Sequence, residues 1–389
     1  MVKLGCEVLA DDPPLWLRTK RLGLLSNQAS VNRSFDHVLS IIQRLGGRIR
    51  YLFSPQHGFY AEKQANMKES SDDWDAVHQI PVISLYSHTR QPAAELLDNI
   101  DILLVDLQDV GTRVYTYTTT IGLCMEAAAE VGIKVVILDR PNPVNGIQVE
   151  GNMLNGRYRS FVGRYAVPMR HGLTIGEFAR YIVQCCNVDC ELEVVSMEGW
   201  ERSRFFSATL LPWVFPSPNM PTWETSLFYP GMVLLEGTNV SEGRGTTMPF
   251  QLFGAPFIDQ RELLNFLAQY DLEGVVLRPI TFEPAFDKWR GKTCQGFHIH
   301  VTDALSFRPY RFGLALLQAM LNVHGEQFQW LPPPYEYEHE KLPIDIILGD
   351  AAIREEIEQG VDICRLEAGW QGDLDHYQGS RQSCLLYGE

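Results

Sequence analysis

Several things are missing from this chain, and each absence removes a class of protein. No run approaches the roughly 18 apolar residues of a membrane span, so no span is expected. Positive charge is scarce: 33 Lys and Arg face 48 Asp and Glu, a formal net charge of −15. That balance excludes a protein built to neutralise nucleic-acid phosphates or to lie on an anionic membrane. It leaves room for one anionic ligand in a local cationic pocket. The opening residues MVKLGCEVLADDPP have no apolar leader core. Cys185, Cys186 and Cys190 are three of eight cysteines, yet no C-x2-C pair or His cluster accompanies them. Neither a metal site nor a disulfide framework is expected, and reduced thiols without a leader point to the cytoplasm.

Nucleotide and acyl-transfer signatures are absent as well. There is no G-x-x-x-x-G-K-[ST] and no G-x-S-x-G. The first strand-to-helix turn, Ser26-Asn27-Gln28-Ala29-Ser30, lacks the glycines that let backbone approach a pyrophosphate. A Rossmann-like fold without a dinucleotide is the expectation. His298 and His300 lie at i, i+2 on one face of a predicted strand. With no carboxylate or Cys at ligand spacing, a structural role outweighs a metal one.

What is present is a soluble-type composition, 45% hydrophobic and 21% charged over 389 residues, long enough for two cores. Apolar runs at Leu22–Ser26, Ile49–Phe53, Val82–Leu85, Ile102–Val105, Lys134–Leu138 and Leu192–Val195 alternate with helical patterns. That alternation predicts a parallel sheet covered on both faces. Thr174 and Glu177 form a capping box opening one of those helices. We assign 1–205 to a Rossmann-like α/β domain and 206–389 to a smaller α+β domain, with a cleft between them. In the second part, strands are predicted at Met232–Leu235, Gly274–Leu277 and Gly296–Val301. Helices are predicted at Arg261–Tyr270, Pro309–Val323 and Ala351–Gln359. Pro212–Pro221 bridges the two parts, and Leu331–Tyr335 reads as a stiff extended connection.

In open α/β sheets ligands bind outside the carboxyl ends of the strands. Here those ends carry four polar clusters: Ser26, Asn27 and Gln28; Gln56 and His57; Asp106 and Asp109; and Asp139, Arg140 and Asn142. Any one cluster could serve as a turn or cap; four converging on one edge favour a site. The long polar segment after the second strand, with Glu62, Asn66 and Glu69, is of the length that is usually functional. Glu236, Asn239, Glu242 and Arg244 fall within nine residues among turn-permitting glycines. Either a solvated hairpin or a ligand loop fits that composition, and the neighbouring apolar run favours the ligand loop.

Six blocks carry a resemblance: FSPQHGF, VDLQDVGTRVYTY, LDRPNP, RHGLTIGE, PWVFPSPNMPT and LLEGTNVSEGRGTTMPFQLFGAP, with WQGDLDHY near the end. From about Leu22 onward the chain resembles the DUF1343 family, whose characterised members are exo-β-N-acetylmuramidases of the NamZ type in glycoside hydrolase family 171. The resemblance implies a hydrolase that removes terminal N-acetylmuramic acid from peptidoglycan fragments, without metal or cofactor. One letter departs: many relatives read P-E-H-G where this chain has Pro55-Gln56-His57-Gly58, and that glutamate is the family's leading acid candidate. Glutamine cannot exchange a proton at neutral pH, whereas glycoside hydrolysis normally uses two carboxyl groups. Glu62 is the substitute in the same loop, partnered by Asp106, Asp109 or Glu242, with His57 among the catalytic candidates. A lactyl carboxylate suits a guanidinium, from Arg113, Arg140 or Arg244. Asn142, Asn219, Asn239 and Asp139 suit the N-acetyl group and hydroxyls. Gln56, Asp109, His171 and Glu236 complete the expected binding set. An Asp139–Arg140 salt bridge holding the strand end is the structural alternative for that pair. Two functions stand: a glycosidase, or an amino-sugar-binding protein that lost its acid at Gln56.

Overall fold

The computed structural model describes residues 1–64 and 67–388; Asn66 lies outside the described residues. Nine strands come from the first half of the chain: β1 (Arg21–Ser26), β2 (Arg48–Ser54), β3 (Asp73–Asp75), β4 (Ile80–Ser84), β5 (Ile102–Asp106), β6 (Lys134–Leu138), β7 (Glu150–Met153), β8 (Pro168–Arg170) and β9 (Leu192–Val195). Seven form one sheet in the order β3-β4-β2-β1-β5-β6-β9. All its pairings are parallel except the edge pair β3–β4.

The apolar runs alternate between two cores. Leu22, Leu24, Leu52, Leu104 and Val136 pack on one face, with the helices Gly5–Asp11 and Val38–Arg44. Leu25, Phe53, Leu103, Val105 and Ile137 pack on the other, with Tyr117–Val131 and Ile175–Cys185. Period-two side chains thus explain why strands buried on both sides read as continuous Val, Ile and Leu. The Thr174 hydroxyl accepts from Glu177 N and the Glu177 carboxylate accepts from Thr174 N, the capping box expected.

Three more strands, β10 (Leu252–Ala255), β11 (Val275–Phe282) and β12 (Cys294–Val301), make an antiparallel sheet in the order β10-β12-β11. The helices Gln260–Leu267, Pro309–His324, Ala351–Glu358 and Ile363–Arg381 complete this α+β part. Met232–Leu235 is not a strand. Met232 ends the helix Thr225–Met232 and Val233–Gly237 continues as a 3₁₀ turn. Every residue there is buried, so the run has no polar side to reveal its period. The helix Ile363–Arg381 was not predicted, although Ile363, Leu366, Trp370, Leu374 and Tyr377 bury one stripe at helical spacing.

The chain runs β1, β2, β4 in one direction, then returns to place β5 beside β1. The switch point therefore lies between the ends of β1 and β5, where a crevice is expected. Asn27, just past β1, donates to Tyr117 Oη at 2.8 Å and to Pro216 O at 2.9 Å, which draws the proline-rich bridge onto this edge.

Candidate active site

A cavity opens at that switch point. From the first part, Gln56 and His57 follow β2, and Val114–Tyr117 follow β5. From the rest of the chain come Ser217, Asn219, Tyr229, Glu236, Arg244, Phe250, Tyr335 and Glu336. A second, outer cavity shares Glu236, Arg244 and Tyr335, and adds Glu242, Asp287 and Lys288.

The centre is a hydrogen-bond chain. Thr116 Oγ1 donates to Gln56 Oε1 at 2.8 Å, which turns the amide so that Nε2 donates to Glu336 Oε1 at 3.1 Å. Tyr86 Oη donates to the other oxygen of Glu336 at 2.7 Å. Glu336 is 3% exposed. Burial pushes its carboxyl up to about 7, against the pull of Tyr86 and Gln56 and with help from the negative charge of Glu236. A carboxyl group at that value exchanges a proton near neutral pH.

Next to it lies an ion network. Glu236 accepts from Tyr335 Oη at 2.7 Å and from Arg244 Nη2 at 2.5 Å. Arg244 Nε lies 3.0 Å from Glu242, which also takes Lys288 Nζ at 2.8 Å. Lys288 and Arg244 hold the Glu242 carboxylate below its ordinary range despite its burial. Arg244 stands between Gly243 and Gly245, at φ of +82° and +79°. A Cβ on Gly245 would fall 2.3 Å from Phe286 O, so the glycines allow the close approach that aims the guanidinium.

Five non-glycine residues of these cavities occupy the left-handed region: His57 (φ 77°), Met67 (φ 55°), Phe250 (φ 62°), Asp287 (φ 66°) and Glu336 (φ 43°). Strained backbone of this kind clusters at functional sites. Burial lowers the His57 imidazole to about 4. It is neutral at pH 7, its Nδ1 2.8 Å from Lys63 O.

The residues expected from the sequence divide. Gln56, His57, Asn219, Glu236 and Arg244 line the inner cavity, and Glu242 the outer one. Glu62 lines neither; it is exposed, with Lys63 Nζ at 3.4 Å. Asp106 is buried against Arg140, which also donates to Val31 O at 3.0 Å. The Asp139–Arg140 bridge therefore does not form: the arginine reaches across to the neighbouring strand end. Asp139 instead accepts from Gly176 N at 2.7 Å and Thr174 Oγ1 at 2.8 Å, holding a helix start. Asp109 accepts from Gly111 N at 2.7 Å and lies 3.4 Å from His171 Nε2. Asn142 ties Leu173 O and Val144 N. Arg113 donates to Asn152 O and Leu348 O, both at 2.7 Å, and Asn239 ties Gln327 O and Gln329 N. Asp106, Asp109, Arg113, Asp139, Arg140, Asn142, His171 and Asn239 thus line neither cavity.

Glu336, Tyr335, Tyr86, Asp287 and Lys288 were not anticipated. The acidic residue following Pro332-Pro333-Pro334-Tyr335 was the one available sign. Among the described residues, no group of three or more His, Cys, Asp and Glu is arranged to hold a metal. His298 and His300 lie beside Arg278, at 3.4 Å. Among the described residues no helix is long and apolar enough to cross a membrane.

A doubly wound sheet, a smaller α+β part and a carboxylate-lined cavity at the switch point define the class: an α/β protein equipped for acid–base chemistry on a small polar ligand. Residues 22–224 match the family description "Exo-beta-N-acetylmuramidase NamZ, N-terminal" and residues 227–387 its C-terminal counterpart. The chain belongs to the exo-β-N-acetylmuramidase NamZ family. It is 40% identical over 387 residues to the peptidoglycan β-N-acetylmuramidase NamZ of Bacillus subtilis (strain 168), covering 99% of this chain and 91% of that protein. Two crystal structures of DUF1343 family proteins from Bacteroides fragilis NCTC 9343 superpose on it. One has a TM-score of 0.88 at 31% identity, covering 99% of both chains. The other has a TM-score of 0.78 at 28% identity, covering 100% of this chain and 99% of that one.

Proposed function

We propose that this protein is a glycoside hydrolase that removes terminal β-N-acetylmuramic acid, or a closely related amino sugar, from peptidoglycan fragments. The observation that carries this reading is Glu336: a buried carboxyl raised to about 7 and hydrogen-bonded to Gln56. It supplies the proton-exchanging group that glutamine cannot. Glycoside hydrolysis needs a second carboxyl group, and the adjoining cavity brings Glu236, Glu242 and Asp287 to the same site, Glu236 with its oxygens held by Tyr335 and Arg244. The proton-exchanging role sought at Glu62 is better filled at Glu336, which is buried in the inner cavity, whereas Glu62 lines neither cavity.

Arg244 has Nε and Nη2 engaged by carboxylates, and its remaining edge suits a lactyl carboxylate in two-pronged fashion. The relative's activity on peptidoglycan, as its name states, supports the substrate class. Residence in the cytoplasm belongs to the same reading, supported by eight free thiols.

The test is release of the aglycone from an aryl β-N-acetylmuramide. Wild-type protein should turn it over, Glu336→Gln should lose at least 100-fold, and Glu62→Gln should keep its rate. Saturable binding of the sugar by wild-type protein without turnover would favour a binding protein instead.

A further inference from the structure

The two cavities differ in size in a way that bears on the stereochemistry, an inference that rests on the hydrolase reading above. The inner one measures about 30 Å³ and the outer about 370 Å³. A water needs roughly 10–15 Å³ of such space, so the inner chamber has room for a water or two and none for a sugar ring. The outer chamber falls in the range of small-molecule sites. Glu236, Arg244 and Tyr335 line both and form the partition. Glu336 faces only the inner chamber, and Asp287 only the outer.

We infer that hydrolysis proceeds with inversion: water in the inner chamber, activated by Glu336, attacks the anomeric carbon of a sugar held in the outer chamber, while Asp287 protonates the leaving oxygen. The water oxygen–carbon bond forms as the glycosidic bond breaks. One water proton passes to the Glu336 carboxylate, and the leaving oxygen takes the proton of the Asp287 carboxyl. Exchange with solvent restores both groups.

Three observations support this division. A retaining enzyme needs a carboxylate in contact with the anomeric carbon, about 5–5.5 Å from its acid, whereas inversion leaves room for a water between. The water-sized chamber in front of Glu336 is that room. Asp287 is exposed at the mouth of the outer chamber, yet partial desolvation of its carboxyl, then the negative charge of Glu242, pushes it above its ordinary range, which suits a proton donor. Of the carboxylates on the outer chamber, Glu242 has both oxygens engaged by Arg244 and Lys288, and Glu236 both engaged by Arg244 and Tyr335. Asp287 alone has no such clamp among the described residues, and its backbone is held in the left-handed region.

The experiment is proton NMR of an aryl β-N-acetylmuramide during the first minutes of turnover by the full-length protein. The α-anomer should appear first and the β-anomer only by mutarotation. A β-anomer formed first would overturn inversion while leaving the hydrolase reading intact; no release of sugar would overturn both. Asp287→Asn supplies the second readout. It should lose at least 100-fold on an N-acetylglucosamine aglycone but less than about 10-fold on a dinitrophenyl one, which leaves without a proton. Glu336→Gln should lose on both substrates. Equal losses for Asp287→Asn on the two would remove it from the acid role.

Discussion

Gln56 donates its amide hydrogen to Glu336 across 280 positions of sequence, at 3.1 Å. The bond joins the end of β2 to the segment after the triple proline, and so ties the two parts of the chain at the cavity. It also fixes the chemistry of the amide. With Thr116 donating to its oxygen, Gln56 presents a donor to Glu336 and cannot present an acceptor.

A glutamate at this position would set two carboxyl groups about 3 Å apart. Like charges that close cannot both ionise, so the pair would share a proton and titrate in two separated steps. Gln56→Glu is therefore expected to raise the upper pKa of the pH–rate profile by at least one unit. At pH 7 turnover should not increase more than about threefold. A large gain would show that wild-type protein lacks its acid.

Stability should fall as the pH rises through neutrality. The Glu336 carboxyl ordinarily titrates near 4.5 and in the fold near 7. Below 4.5 both states hold the proton and no difference arises. Between the two values the unfolded chain releases it first, so unfolding is favoured progressively. Above 7 the full cost is present, on the order of 3 kcal/mol. Asp139 and Glu150, both pushed up to about 7 by burial, act in the same direction. Urea midpoints at pH 5.5 should exceed those at pH 8, and Glu336→Gln should narrow the gap.

Arg113 is a structural clamp. Its guanidinium serves carbonyls of Asn152 and Val167 on one side and of Ile347 and Leu348 on the other. Arg113→Met leaves those buried acceptors without their donor, at a cost of roughly 3 kcal/mol or more. The denaturant midpoint should drop with an unchanged slope. If the midpoint held and only KM rose, the residue would belong to the ligand after all.

Gly245→Ala tests the aim of Arg244. The new Cβ would strike Phe286 O, and the residue would be strained at φ +79°. Turnover should fall at least tenfold, mainly through KM, with circular dichroism at room temperature unchanged.

The ladder of this fold was legible where one residue's environment decides its type. The runs Lys134–Leu138 and Leu192–Val195 are strands with the same bounds in sequence and structure; the first is apolar because both faces of a covered sheet demand it, while the second is the half-buried edge strand that carries Glu193. Thr174 and Glu177 announced a helix start by a local reciprocal bond. Gly243 and Gly245 marked a tight loop correctly for the same local reason. Met232–Leu235 failed because a segment buried all round has no period to read.

The site itself divides along the same line. By itself the sequence determined the sheet, the switch-point edge, the family and the cavity-lining members Gln56, His57, Asn219, Glu236 and Arg244. Only tertiary structure decided which acids are free to act. Asp106, Asp109 and Asp139 sit at strand ends like catalytic groups, yet each is buried outside both cavities with at least one oxygen held by a residue from a distant segment. Glu336 sits in a proline-rich connection like a surface residue, yet it is buried against Gln56 and Tyr86. Proton affinity depends on burial and on charges brought near by folding, and no local pattern encodes either.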